Sequence, residues 1–150
     1  MKISRTLLAG ALVLGLSGVA YAQPSARTAG STTVGLRNTK VGTILVAPDG
    51  FTLYEFSRDK SNVDNCQNIS GCLAAWPALT SSGAPKAGHG VNSHLLGTIK
   101  LKNGKRQVTY AGHPLYTYVG DSGPGQTDYI GDVGNGGTWW AVNAHGGTVK

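Results

Sequence analysis

The 150-residue chain has no apolar run long enough to cross a membrane. Its longest run, from Thr6 to Val19, is shorter than the roughly 20 residues that a transmembrane helix needs. A basic start, Met1-Lys-Ile-Ser-Arg5, precedes the run, and the small-x-small site Ala20-Tyr-Ala22 follows it. This order is typical of a secretory signal peptide. We therefore predict a signal peptide at 1–22, cleaved after Ala22. The alternative is a buried N-terminal helix of the fold.

No cysteine lies near this cleavage site, so the sequence predicts neither a lipid anchor nor a membrane span, but a soluble, periplasmic or secreted protein. Residues 23–33 are small and polar and are expected to form a flexible leader. The remaining residues, 34–150, suit a single domain with a modest core, which we expect to be monomeric.

A strong basic charge is also missing. Removal of Lys2 and Arg5 with the signal peptide leaves eleven basic residues against seven acidic ones, a net charge of +4 instead of +6. Four of these cations flank an Asn103-Gly104 turn, where they are typical of a solvated strand edge that resists aggregation. A nucleic-acid surface needs a basic stripe interleaved with aromatic or polar base contacts. We therefore predict no nucleic-acid partner.

Cysteine is restricted to Cys66 and Cys72. Five residues separate them, whereas redox dithiols usually have two, and no nearby histidine completes a zinc site. An exported protein meets an oxidising compartment, so we predict a disulfide that stabilises the fold by roughly 2 kcal/mol. A metal or redox pair is the alternative.

Glycine, by contrast, is abundant: 23 glycines interrupt the chain at intervals of about ten residues or fewer. This spacing favours many short strands joined by tight turns. We expect a hairpin of 41–47 and 51–57 around Pro48-Asp-Gly50, and a second hairpin of 95–101 and 106–110. One short helical turn, 71–76, ends at Pro77. The predicted fold is all-β or nearly so.

An internal repeat organises the domain. A shift of 62 residues places Val46–Asp59 on Val108–Asp121, and one further residue places Trp76–Leu79 on Trp139–Val142. Turn, strand and tryptophan recur in the same order. We expect two tandem pseudo-repeats of antiparallel strands, at about 41–80 and 104–146. Each is too small to bury its own apolar face, so they should pack against one another.

Two segments, Tyr54-Glu-Phe-Ser-Arg-Asp59 and Tyr116-Thr-Tyr-Val-Gly-Asp121, share the pattern Tyr-x-aromatic-x-x-Asp. With Cys-Leu-Ala-Ala-Trp-Pro-Ala-Leu and Gly-Gly-Thr-Trp-Trp-Ala-Val, they resemble the bacterial family of secreted repeats of unknown function over residues 40–146. Its members are often described as predicted lipoproteins. The resemblance implies an exported tandem-repeat domain and implies no activity. Many relatives are lipid-anchored, and this chain departs from them in lacking the anchoring cysteine.

The motif carboxylates, Asp59 and Asp121, each follow a strand. Aspartate there can accept hydrogen bonds from backbone N–H groups and fix the turn. A cation site or a catalytic carboxylate pair is the alternative, although calcium needs six to eight oxygen ligands.

Six aromatic residues recur at matching positions, and we expect them to form a shared core. An exposed stacking platform for sugars or another flat ligand is the alternative. They are Tyr54, Phe56, Trp76, Tyr116, Tyr118 and Trp139.

Catalytic patterns are missing: no serine has a nucleophile-elbow setting, and no glycine-rich phosphate loop joins a strand to a helix. We predict a non-enzymatic binding or interaction module without a cofactor. Its partner is an unidentified protein or small-molecule ligand of the cell envelope. The alternative is a periplasmic metal-binding or redox accessory protein. It would hold a divalent metal through His113 with His89 or His94, or through Asp59 and Asp121.

Overall fold

The computed structural model describes residues 30–150. Within them the chain forms ten short strands, one α-helix and two 3-10 helices. The strands are β1 (Thr33–Thr39), β2 (Gly42–Val46), β3 (Tyr54–Phe56), β4 (Lys86–Ala87), β5 (Leu96–Lys100), β6 (Arg106–Tyr110), β7 (His113–Pro114), β8 (Val133–Gly134), β9 (Gly137–Val142) and β10 (Thr148–Val149). The helix is α1 (Cys72–Ala75), and the 3-10 helices are Cys66–Asn68 and Ser93–Leu95. The prediction of a nearly all-β fold with one short helical turn is confirmed.

Two antiparallel hairpins occupy equivalent places in the first half, residues 30–90, and the second half, residues 91–150. One pairs β1 with β2, and the other pairs β5 with β6. Their turns carry glycine at matching positions, Gly42 and Gly104, with φ angles of 110° and 83°. Glycine adopts these positive angles without the steric penalty of a side chain, and this explains its recurrence there.

The two halves are interlocked. Strand β3 of the first half pairs antiparallel with β9 of the second, and Tyr116 of the second half forms an antiparallel bridge with Ala78 of the first. At the centre, Tyr54 and Tyr116 exchange two backbone N–H to O hydrogen bonds, of 2.8 and 3.0 Å. Because these tyrosines are equivalent in the repeat, the contact lies on a local two-fold axis.

The predicted hairpin of 41–57 differs from the structure. The chain reverses after β2, with one bridge between Val46 and Thr52. However, the ladder partner of β2 is β1, and that of β3 is β9. The turn signal correctly indicates a reversal, but the pairing of β3 depends on a strand more than 80 residues away.

The first half alone carries the insert that contains both cysteines. Cys66 begins a 3-10 helix and Cys72 begins α1, and their sulfur atoms lie at disulfide distance. Both side chains are fully buried. The insert therefore closes over the side of the core that faces the first repeat motif.

The N-terminal predictions fall largely outside the described part of the chain. This holds for the predicted signal peptide, 1–22, and for 23–29 of the predicted leader. At 30–33, the backbone N–H of Thr32 donates to the Ser81 hydroxyl at 3.0 Å and its carbonyl accepts the backbone N–H of Lys86 at 2.9 Å. Thr33 begins β1. No helix within residues 30–150 is long and apolar enough to span a membrane.

Candidate functional site

A stack of four aromatic rings runs through the centre of the molecule and alternates between the halves. Trp76 and Trp139, equivalent in the repeat, stack at 4.0 Å between ring centroids with planes 4° apart. Phe56 stacks on the outer face of Trp139 at 4.2 Å, and Tyr118 stacks on Trp76 at 4.0 Å. Each motif aromatic therefore packs on the tryptophan of the other repeat. These contacts place the aromatic residues in a common core, with only Tyr118 partly exposed.

The central tyrosines pack edge-on against this stack. Tyr54 meets Trp76 at 5.2 Å and 78°, and Tyr116 meets Trp139 at 5.2 Å and 87°. Edge-to-face contacts suit the ring quadrupoles and add to the apolar burial. The two sets of contacts repeat one geometry about the local two-fold axis.

The hydroxyl groups of these tyrosines cross between the repeats. Tyr54 donates to both carboxylate oxygens of Asp121, at 3.1 and 3.2 Å. Tyr116 donates to Oδ2 of Asp59 at 2.7 Å. Each repeat therefore supplies the tyrosine for the other repeat's aspartate. Hydrogen bonds to charged acceptors are among the stronger ones in proteins, so these two bonds join the halves.

Burial sets the acidity of both motif carboxyls. Desolvation raises the pKa of Asp59 to about 6, and it does the same for Asp121, although in each case the tyrosine hydrogen bond acts in the opposite direction. The pKa of both tyrosines is also raised, mainly by burial and then by the adjacent carboxylate. The hydroxyls therefore stay protonated and act as donors.

In the first motif, hydrogen-bond donors from the chain itself satisfy the acidic side chains. Oδ1 of Asp59 accepts the backbone N–H of Asn65, in the disulfide insert, at 2.7 Å. Nearby, Nδ1 of His113 lies 2.5 Å from Oε2 of the buried Glu55, whose other oxygen accepts the Thr148 hydroxyl. This hydrogen bond raises the pKa of His113. We call this arrangement of Glu55, Asp59, Asn65 and His113 the filled counterpart.

In the second motif, the corresponding space is open. A surface pocket of about 340 Å³ lies beside Asp121, which is 8% exposed and whose hydrogen-bond donor is the Tyr54 hydroxyl. We call it the open pocket, and its lining residues are Asp49, Phe51, Thr117, Tyr118, Val119 and Asp121. It combines aromatic walls with two carboxylates, a composition that suits recognition of a small ligand.

The repeat relates the two places residue by residue. The shift of 62 aligns Phe51 with His113, Thr117 with Glu55, and Asp121 with Asp59. No sequence pattern indicated Glu55, Asn65, Asp49 or Phe51 as site residues. The alignment of Phe51 with His113 was a signal available in the sequence, because it replaces a cationic donor in one copy with an apolar ring in the other.

The candidate metal ligands do not converge. His89 and His94 are exposed on the segment before β5, and His113 is hydrogen-bonded to Glu55. Asp59 and Asp121 are each bonded to a different tyrosine. Within residues 30–150, no three histidine, cysteine, aspartate or glutamate side chains form a group that could hold a metal ion.

Comparison with known proteins agrees with the duplication in the structure. The family described as "secreted repeat of unknown function" matches the chain twice, at residues 35–80 and 97–143, and the two matches together span more than half of its length. No curated protein and no solved structure gives a significant match. The matched ranges lie one in each interlocked half. The chain therefore belongs to the family of secreted repeats of unknown function.

Proposed function

We propose that this protein is an exported, non-enzymatic binding module that acts as a monomer in the cell envelope, in the periplasm or after secretion. The observation that carries the proposal is the contrast between the two motif aspartates. One is enclosed by donors from the chain itself, and the other borders an open pocket. The rest of the motif is built into a rigid core, so the pocket is presented by a fixed scaffold.

The arrangement of the titratable groups favours binding over catalysis. Asp59 and Asp121 accept tyrosine hydrogen bonds that join the halves, and His113 is held by Glu55. A general base or nucleophile needs a reactive atom within hydrogen-bond reach of substrate and an orienting partner. The open pocket is lined by two carboxylates, two aromatic rings, two hydroxyls and an aliphatic chain, a set that suits recognition of a ligand.

The alternative, a metal-binding or redox accessory protein, has less support. The histidines do not converge, as described above. The fully buried Cys66 and Cys72 are shielded from exchange with an external thiol, because this exchange requires access to sulfur.

Equilibrium dialysis against a small-molecule extract of the cell envelope tests the binding module. The mature protein should concentrate at least one compound on its side of the membrane while the total amount of that compound stays constant. An unrelated exported β-protein of similar net charge is the control. In parallel, the tagged full chain is cross-linked in the envelope and purified, so that a protein partner is also detected.

Two results contradict the proposal. A compound consumed in molar excess over the protein, with a matching product, would identify an enzyme. Failure of both assays, with no enriched compound and no specific cross-linked protein, would remove the basis for a binding module.

A further inference from the structure

We propose that the open pocket binds a small organic cation that carries N–H donors, such as a primary ammonium group on an apolar or aromatic scaffold. The proposal rests on the proposed binding function and names its site and ligand class. The cation would donate to Asp121 and lie against Tyr118 and Phe51.

The filled counterpart shows which hydrogen-bond donors the acidic side chains of the motif accept. There the equivalent carboxylate, Asp59, takes a backbone N–H at 2.7 Å, and the neighbouring Glu55 takes the imidazole N–H of His113 at 2.5 Å. Nitrogen donors from the chain itself therefore occupy the acidic side of the first motif. In the second motif, Phe51 stands in place of His113, and this donor is replaced by a ring with no polar atom.

The Asp121 carboxylate can accept more hydrogen bonds than the chain supplies. An ionised carboxylate offers about four lone-pair sites, and the hydrogen bonds of Asp121 come from one hydroxyl. The side chain is more than nine-tenths buried, yet it borders the pocket. An acceptor so desolvated gains more from a charged donor than an exposed one does, because solvent screening is weaker there.

The charge around the open pocket is negative. The mature chain is net basic, but the lining of the open pocket contains Asp49 and Asp121 and no basic side chain. Asp128 lies near enough to raise the pKa of Asp121 by charge repulsion. The pocket is therefore an acidic spot on a basic protein, and it favours a cation over a neutral or anionic ligand.

The side chains that line the open pocket also suit an organic cation. Phe51 and Tyr118 supply aromatic surface, and Val119, which is 63% exposed, supplies an apolar rim. Cations are attracted to aromatic faces, and an apolar ligand body gains from the same contact. The pocket volume of about 340 Å³ lies at the small end of ligand sites, so the occupant is a small molecule or a single basic side chain.

A pair of isosteric probes tests the proposal: benzylamine carries the ammonium group, and benzyl alcohol has the same shape without charge. Both are titrated into the ¹⁵N-labelled mature protein at pH 7.5 and low salt. We expect benzylamine to shift the amide signals of residues 49–51 and 117–121, and to bind at least about tenfold more tightly than benzyl alcohol, because its hydrogen bond to Asp121 is formed by a charged donor. Equal binding of the two probes, or shifts elsewhere, overturns the proposal.

Matched variants locate the site. Asp121→Asn should weaken benzylamine binding about tenfold, whereas Asp59→Asn, which alters the equivalent tyrosine bond in the other motif, should leave it unchanged. If both variants lose binding equally, the effect is on the fold and the proposal fails.

A second pair avoids the core altogether. Val119→Lys brings a tethered ammonium group to the pocket rim and should compete with benzylamine, while Val119→Gln, which is neutral, should not. Unchanged benzylamine affinity in Val119→Lys contradicts the proposal. If dialysis of the envelope extract still enriches a compound in Val119→Lys, the ligand class assigned here is wrong and the binding module remains.

Discussion

Tyr54 and Tyr116 make the same kind of bond, but their acceptors have different surroundings. Asp59 also receives the Asn65 N–H, whereas Asp121 faces the open pocket. A duplicated motif can therefore preserve one bond for folding in both copies and leave only one copy free for a ligand. Burial desolvates both carboxyls in the folded state and raises the pKa of each.

These carboxyls predict how stability changes with pH. Their folded pKa of about 6 lies above the usual 3.8, so the folded state binds protons more tightly than the unfolded state. The free energy of unfolding should therefore fall as pH rises from about 4 to 6. His113 acts in the same direction, because its raised pKa contributes stability at low pH that is lost as pH rises through that pKa.

Urea unfolding of the mature protein at pH 5 and pH 8 measures this effect. We expect the free energy of unfolding to be lower at pH 8 by about 2–3 kcal/mol, because above pH 5 each of the two carboxyls still loses about one pKa unit, or about 1.4 kcal/mol. Asp59→Asn and Asp121→Asn should each remove part of the difference, and Asp49→Asn, at an exposed position, is the control. A protein that becomes more stable between pH 5 and pH 8 would contradict this assignment.

At the residue scale, the sequence singled out the motif tyrosines and aspartates but not their partners. In the sequence, a hydrogen bond from a tyrosine to the aspartate of its own motif fits the spacing as well as a bond to the aspartate of the other motif. The structure instead joins residues 67 and 57 positions apart. Side-chain partners across a duplication are set by how the copies dock, and that information is absent from either motif alone.

Among the elements, the hairpins and the helical turn follow from local signals. The second hairpin, predicted at 95–101 and 106–110, is β5 (Leu96–Lys100) with β6 (Arg106–Tyr110). The helical turn predicted at 71–76 is α1 (Cys72–Ala75). Strand β1 (Thr33–Thr39) was not predicted, because it contains only two large apolar residues, Val34 and Leu36, and ends in polar ones. Its pairing with β2 makes it a strand.

The disulfide insert is the element that encloses the first motif, and its cross-link can be tested. Replacing both Cys66 and Cys72 with alanine should lower the free energy of unfolding by about 2 kcal/mol, because the unfolded chain regains the freedom of a short closed loop. Urea unfolding under non-reducing conditions measures the loss.

Alkylation supplies the complementary measurement for this element. Wild-type protein should resist alkylation after mild reductant unless denaturant is added, since both sulfur atoms lie in fully buried side chains. Equal stability of the double variant and wild type, or ready alkylation of the native protein, would contradict a buried structural cross-link.

For the whole molecule, the important feature is that neither half is complete. Strand β3 finds its partner β9 in the other half, and the four-ring stack takes alternate rings from the two halves. An isolated half would expose these rings and leave strand edges unpaired, which a segment of this size cannot compensate.

Splitting the chain tests this interlocking. Residues 30–90 and residues 91–150, produced separately, should each lack dispersed amide signals in NMR spectra, whereas a mixture of the two should recover the spectrum of the intact domain. A cut after Gly90, which lies in a turn, leaves the pairing of β4 with β1 and the disulfide within one fragment. A half that folds alone would show that the cross-repeat contacts are dispensable.

The sequence by itself determined the duplication, the positions of the tight turns, the aromatic set of the core and the cysteine pair. These features depend on local patterns and on a fixed shift between copies. The tertiary structure alone decided that the tyrosine–aspartate bonds cross between the repeats, that His113 occupies one acidic site, and that the equivalent site stays open. Two copies with the same motif can pair within or between themselves, and only packing of the whole chain selects between these arrangements.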